Sequence, residues 1–172
     1  MDVKRWVDRS FRFDVSVDLF PDVLERVRGT PARIEEKVRQ VPFPVLTHRD
    51  GDKWSIQEHI GHLLDLDALH TDRLDDYQTG AASLRPADIT NRATTEANYN
   101  QRDITAVLRD FRAARLHFVK RLEAWDPARV EVSAIHPRLQ QPMQLVDMVY
   151  FVAEHDDHHL ARMSELARKF AP

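Results

Sequence analysis

Apolar residues recur along the chain at helical spacing rather than in alternation, and only 4 glycines interrupt them, so the pattern predicts a nearly all-helical protein. FPDVLERVRG (20–29) reads as a helical turn or two ended by Gly29. Thr30-Pro31 then supplies an N-cap and a proline at the first helical position, opening a first long helix at roughly 30–41. Pro42 and Pro44 close it, and VLTHRDGDK (45–53) is a polar connection. Ser55 and Glu58 form a capping box that opens a second helix, which runs to about Tyr77 on the stripe Ile56, Ile60, Leu63, Leu64 and Leu74. The stretch 79–101 is polar and broken by Pro86, which predicts a long crossover of irregular or short helical structure. A third helix, at about 102–125, turns Ile104, Val107, Leu108, Phe111, Leu116, Val119, Leu122 and Trp125 inward and stops at Asp126-Pro127. DPARVEVSAIHPRLQQ is a second connection. From Pro142 to about Lys169 runs a fourth helix, with Leu145, Met148, Val149, Val152, Leu160, Met163 and Leu166 as its core face. The expected fold is all-α: one domain over 1–172, a four-helix bundle with long crossover connections, residues 1–29 packing on it as an N-terminal extension.

Charge and composition narrow the chemistry. The 25 Lys+Arg nearly balance the 28 Asp+Glu and form no basic stripe, so nucleic acid is not an expected partner. No apolar run is long enough to span a membrane and the N-terminus has no signal core, which makes cytoplasmic residence the expectation. With no cysteine, any metal must be held by His, Asp or Glu.

Against that background HDDHH (155–159) stands out, because none of these residue types favours a helix interior. His155 and His159 are four apart and stack on one helix face, where two imidazoles can share an ion; His158 points sideways. A third ligand must come from another helix. EHIGHLLD (58–65) offers His62 among apolar neighbours, with His59 one turn earlier as its competitor and Gly61 permitting a close approach. Three histidines would leave an open position, as in catalytic rather than structural sites. His48, His70, His117 and His136 are expected to be non-functional. Trp54, Phe111, Trp125 and Phe151 are expected in the core, and Asp65, Asp67, Asp72, Asp75 and Asp76 on a solvated face.

KWSIQEHIGHLLDLDALHTDRL (53–74) and HPRLQQPMQLVDMVYFVAEHDDHHLARMSEL (136–166) together resemble the DinB/YfiT-like superfamily of metal-binding four-helix proteins, over about Thr30 to Leu166. Trp54, Ser55, Glu58, His62 and Leu63 match its W-S-x-x-E-x-x-x-H-L segment, and His155 and His159 its terminal H-x-x-x-H. The resemblance implies a divalent metal, zinc or nickel, on His62, His155 and His159, with water completing the site, in a homodimer. Where many members carry Gly-Gln after the last histidine, this chain has Leu160-Ala161-Arg162. Members with assigned activities are transferases that use a low-molecular-weight thiol such as bacillithiol or mycothiol; others are described as metal-dependent hydrolases. The implied function is therefore thiol S-transfer or hydrolysis on a small molecule. A metal that lowers a thiol's pKa needs no protein cysteine, and in hydrolysis Asp156 or Glu58 would act as base or ligand orienter. The alternative is a non-catalytic metal-binding or interaction module on the same bundle. A protease-like H-D-x-x-H with Glu165 as third ligand lacks strands to bind a peptide, and a di-iron centre lacks its second Glu-x-x-His.

Overall fold

The computed structural model describes residues 3–170. Its helices are α1 (Phe20–Arg39), α2 (Phe43–Leu46), α3 (Ile56–Thr79), α4 (Arg92–Glu96), α5 (Ile104–Glu123) and α6 (Leu145–Phe170). A hairpin of β1 (Ser133–Ile135) and β2 (Pro142–Gln144) precedes α6. The four long helices form the bundle. Each of α1 and α3 packs on both α5 and α6, so the first two long helices occupy opposite corners and the chain crosses the bundle between them.

Residues 20–29 and 30–39 form one helix, against the expected break at Gly29 and the expected cap at Thr30. Pro31 sits inside it and cannot donate to the carbonyl of Val27, four residues earlier. That carbonyl accepts instead from Arg115 Nη1 of α5 at 3.0 Å, so a tertiary contact replaces the missing helical bond. The N-terminal extension consequently ends at Leu19, not at residue 29. In it Phe11, Phe13 and Val15 alternate with exposed residues along an extended segment that packs on the bundle, and Val17 opens a 3-10 turn that leads into α1.

α3 starts where Ser55 accepts from the Glu58 N–H at 3.1 Å while the Glu58 side chain accepts from the Ser55 N–H at 2.9 Å. It ends at Gly80, whose φ of +70° suits glycine. Two features depart from the sequence pattern of the second half. Leu116, expected inside, is 45% exposed. In the second connection β1 and β2 pair antiparallel with Ala134 opposite Met143, both buried; Pro142 belongs to β2, so α6 begins only at Leu145. The three-residue strands are too short to assert a period.

The core is in two parts. One gathers around Val27, Leu74, Phe118 and Val152, the other around Ile34, Leu63, Phe111 and Met163. Between them lies a polar layer to which every long helix contributes: Thr30, Asp67, Arg115 and Asp156, all buried. Arg115 binds Asp67 at 2.8 Å and Asp156 at 3.0 Å, and Thr30 donates to Asp156 at 2.6 Å. Asp67 thus leaves the solvated face expected of it, while Asp72 and Asp75 stay on it. Burial pushes the Asp67 carboxyl up, to about 6, although Arg115 opposes the shift.

Candidate metal centre

The helices that carry the histidine motifs, α3 and α6, are neighbours in the bundle. His62, His155 and His159 are buried, and each offers a ring nitrogen within 4.8 Å of the others'. The Nε2 atoms of His155 and His159 are 3.1 Å apart. Two nitrogens bound to one tetrahedral ion at about 2.0–2.1 Å stand roughly 3.3 Å apart, so this spacing fits a shared ion. Burial holds all three imidazoles neutral: it pushes His62 down to about 4 and His155 and His159 well below the usual histidine range, with neighbouring histidines adding to the shift. Neutral imidazole is the form that binds a metal.

The surroundings fix which nitrogen of His62 is bare. Thr94 has one hydroxyl proton and donates it to Asp65 Oδ2 at 2.8 Å, since a carboxylate can only accept. The 3.2 Å contact between Thr94 Oγ1 and His62 Nδ1 is therefore a bond donated by the imidazole, leaving Nε2 with a free lone pair. Asp65 in turn accepts from the Tyr99 hydroxyl at 2.6 Å. The Tyr99 ring lies on Gly61, where a Cβ would come within 2.1 Å of it. The crossover after α3 is thereby fastened over His62, and Gly61 is what admits it. His59, expected as a competitor of His62, meets His159 Nδ1 to Nδ1 at 2.8 Å. Were Nε2 of His159 to hold a metal, its proton would sit on Nδ1 and be donated to His59, which would then act as its orienter. Nδ1 of His155 is buried with no partner among the described residues.

Neither carboxylate expected as base joins this cluster. Asp156 is held by Arg115 and Thr30. Glu58 is tied to the Ser55 cap and to Arg49, whose Nε donates at 2.9 Å. Glu165 pairs with Arg162 at 2.8 Å.

A cavity of about 660 Å³ opens over the three histidines, between α3, α6, the 86–91 stretch of the crossover, the hairpin turn and Trp6. Seven of the nine histidines line it, His70 and His136 among them; His48 and His117 are exposed. Trp54 lines it rather than the core, its ring centroid lying 4.6 Å from that of His62, while Phe151 is buried in the core as expected and also borders the cavity. Of the crossover's polar residues, Asn91 lines the cavity and Thr94 orients His62, whereas Asn100 accepts from Ser55 and Asn98 is an exposed turn residue. Sequence reasoning missed Asp65, Tyr99, Trp6 and Arg73; only Asp65, three residues after His62, carried a local signal.

A bundle whose two neighbouring helices turn three neutral histidines toward one point defines the class of metal-binding four-helix proteins. The chain belongs to the DinB superfamily, whose model matches residues 22–163. Among solved structures it is similar to YfiT from Bacillus subtilis, at 20% identity and a TM-score of 0.78, covering 94% of this chain and 93% of that one. That protein is described as a probable metal-dependent hydrolase with an unusual four-helix bundle topology. Among curated proteins no match is found. No helix among the described residues is long and apolar enough to cross a membrane.

Proposed function

We propose that the protein is a metal-dependent enzyme that transfers a low-molecular-weight thiol to a small electrophile, with His62, His155 and His159 holding a divalent zinc or nickel ion. The observation that carries the reading is the set of three neutral, inward imidazoles at the floor of a cavity large enough for a second molecule. A purely structural site would call for four protein ligands and no open approach. When bound, the metal supplies Lewis acidity that activates a nucleophile at neutral pH. The chain's own residues orient the ligands: Thr94 and Asp65 fix His62, and His59 fixes His159.

Thiol transfer is favoured over hydrolysis because Asp88, on the rim, is the single carboxylate among the lining residues, and it is bound to Thr90 at 2.6 Å. An activated thiol needs no carboxylate base. Hydrolysis is the second reading, supported by the likeness to YfiT and by His158. That ring lines the cavity and stands neutral, an imidazole within reach of a molecule bound there. The test is metal analysis of unsupplemented protein, then a rate screen of electrophiles with and without added thiol and of esters and amides without it. Thiol-dependent turnover lost on chelation supports the first reading; thiol-independent turnover selects the second. Metal-replete protein inactive in every arm favours a non-catalytic module.

A further inference from the structure

The cavity has a second end, opposite in chemistry to the first. Along α3 the cavity is lined by His59, His62, Leu66, Leu69, His70 and Arg73, and His62, Leu66, Leu69 and Arg73, at a spacing of four, three and four, run down one helix face. Eleven residues of helix separate the first from the last, about 16 Å along the axis. The facing wall repeats the order: His159, His155 and Phe151 descend α6 four residues at a time, and the His136 ring lies 5.2 Å from Phe151. The slot is therefore imidazole at one end, mainly apolar in the middle, where His70 is the one polar side chain beside Leu66, Leu69 and Phe151, and polar again at the other.

Arg73 is only 2% exposed, yet it has no carboxylate partner among the described residues. Its Nε and Nη2 donate to the backbone carbonyl of Arg85 at 3.1 and 2.9 Å, and Nη1 has no acceptor among the described residues. Asp76, one turn further along α3, is held by Arg85 through both the guanidinium and the backbone N–H, each at 2.8 Å. A buried guanidinium ordinarily has a carboxylate against it, because desolvating an unpaired charge is costly. His136 is 3% exposed and accepts from the Leu139 N–H at its Nδ1, so its proton sits on Nε2, a donor without an acceptor among the described residues. Arg138, which lines the same end, also has no carboxylate partner among the described residues.

We infer that the substrate is an elongated organic anion: its anionic head group lies on Arg73 and His136, its apolar body between Leu66, Leu69 and Phe151, and its reacting end at His62, His155 and His159. The reaction it undergoes rests on the function proposed above; the anion site does not. A fork of guanidinium donors suits a carboxylate or a phosphate ester, and the substrate's charge would supply the counter-ion that the fold withholds from Arg73.

The test is titration calorimetry on the full chain in EDTA, so that no metal can capture the head group. The probes are sodium octanoate, its neutral isostere octanamide, octyl phosphate, acetate and inorganic phosphate. Octanoate or octyl phosphate should bind at least about tenfold more tightly than octanamide, as expected for a charge-assisted fork. Whichever of the two binds tighter identifies the head group. Arg73→Met should abolish the preference while leaving metal uptake intact, since methionine fills similar volume without charge. Octanamide binding as tightly as octanoate, or an Arg73→Met protein that keeps octanoate affinity within about twofold, overturns the inference. Acetate or inorganic phosphate binding as tightly as their octyl counterparts overturns the elongated part of it. Should Arg73→Met not fold, the comparison of octanoate with octanamide on the natural chain decides alone. A protein that takes up no metal yet discriminates octanoate in EDTA would retain the anion site and refute the metal reading, so the two failures are distinguishable.

Discussion

Arg115 and Asp156 are paired where each side chain is only 1% exposed, and the aspartate is the immediate neighbour of His155. Successive residues of a helix point about 100° apart, which lets HDDHH serve several surroundings at once. His155 and His159 face the cavity and Asp156 faces Arg115, while Asp157 reaches Arg26 and Arg33 of α1 at 2.5 and 2.6 Å. Arg115→Ala would leave two buried carboxylates without a counter-charge and should cost about 3–5 kcal/mol of stability in urea denaturation. Asp156→Asn should cost less, and the folded protein should keep its full metal content. Lost turnover in Asp156→Asn at unchanged stability would instead make Asp156 a base.

The three ligand histidines can be separated from their neighbours by substitution. His62→Ala, His155→Ala and His159→Ala should each remove most bound metal while far-ultraviolet circular dichroism stays close to that of the natural chain. His158→Ala should retain metal. Metal that persists in the first three and disappears in the fourth would transfer the ligand role to His158.

Thr94→Val keeps the side chain's shape and removes the acceptor that holds His62 Nδ1–H. Loss of such a ligand orienter typically weakens metal binding about 10–100-fold, and competition with a chelator would measure it. Gly61→Ala should act on the same bond from the other side, because its Cβ would meet the Tyr99 ring at 2.1 Å and displace the crossover. If chelator competition finds both variants unchanged, the crossover plays no part in holding His62.

Acid should destabilise the metal-free protein through its buried imidazoles. Burial pushes His59 down to about 3 and His62 and His136 to about 4, against an unfolded value of 6.5. Between about pH 6.5 and 4 the unfolded chain therefore binds more protons than the folded one. Stability must fall as pH is lowered through that window, by at most about 1.4 kcal/mol per pH unit for each such histidine. Asp67, pushed up to about 6, works in the opposite direction between about pH 6 and 4, one group against several. Urea midpoints in EDTA at pH 7.5, 6.5 and 5.5 should decline in that order, and loaded protein should release metal over the same interval. A midpoint that rose on acidification would mean that these histidines are not held neutral.

Much of the bundle is legible in the sequence because its signals are local. The Ser55–Glu58 cap, the stripe of α3 and the four-residue spacing of His155 and His159 each lie within a turn or two of helix. What is not legible depends on partners far along the chain. Asp67 looks like Asp72 and Asp75 until Arg115 is brought against it, and nothing near Arg73 or His136 marks them as cavity residues. The short hairpin did carry a trace, since Val130, Val132 and Ala134 alternate with Glu131 and Ser133, but three residues per strand are too few to separate it from a loop.

The carbonyl of Val27 carries a consequence for how the chain folds. Helix α1 interrupts its own ladder at Pro31 and regains the lost partner only from a guanidinium on α5. A peptide of residues 20–39 alone should therefore fray at its middle rather than at its ends, and α1 becomes one rod only as α5 docks. Because the same guanidinium holds α3 through Asp67 and α6 through Asp156, a single side chain ties the completion of one helix to the assembly of all four. Secondary and tertiary structure should then form in one cooperative step, with the centre of the bundle as its nucleus.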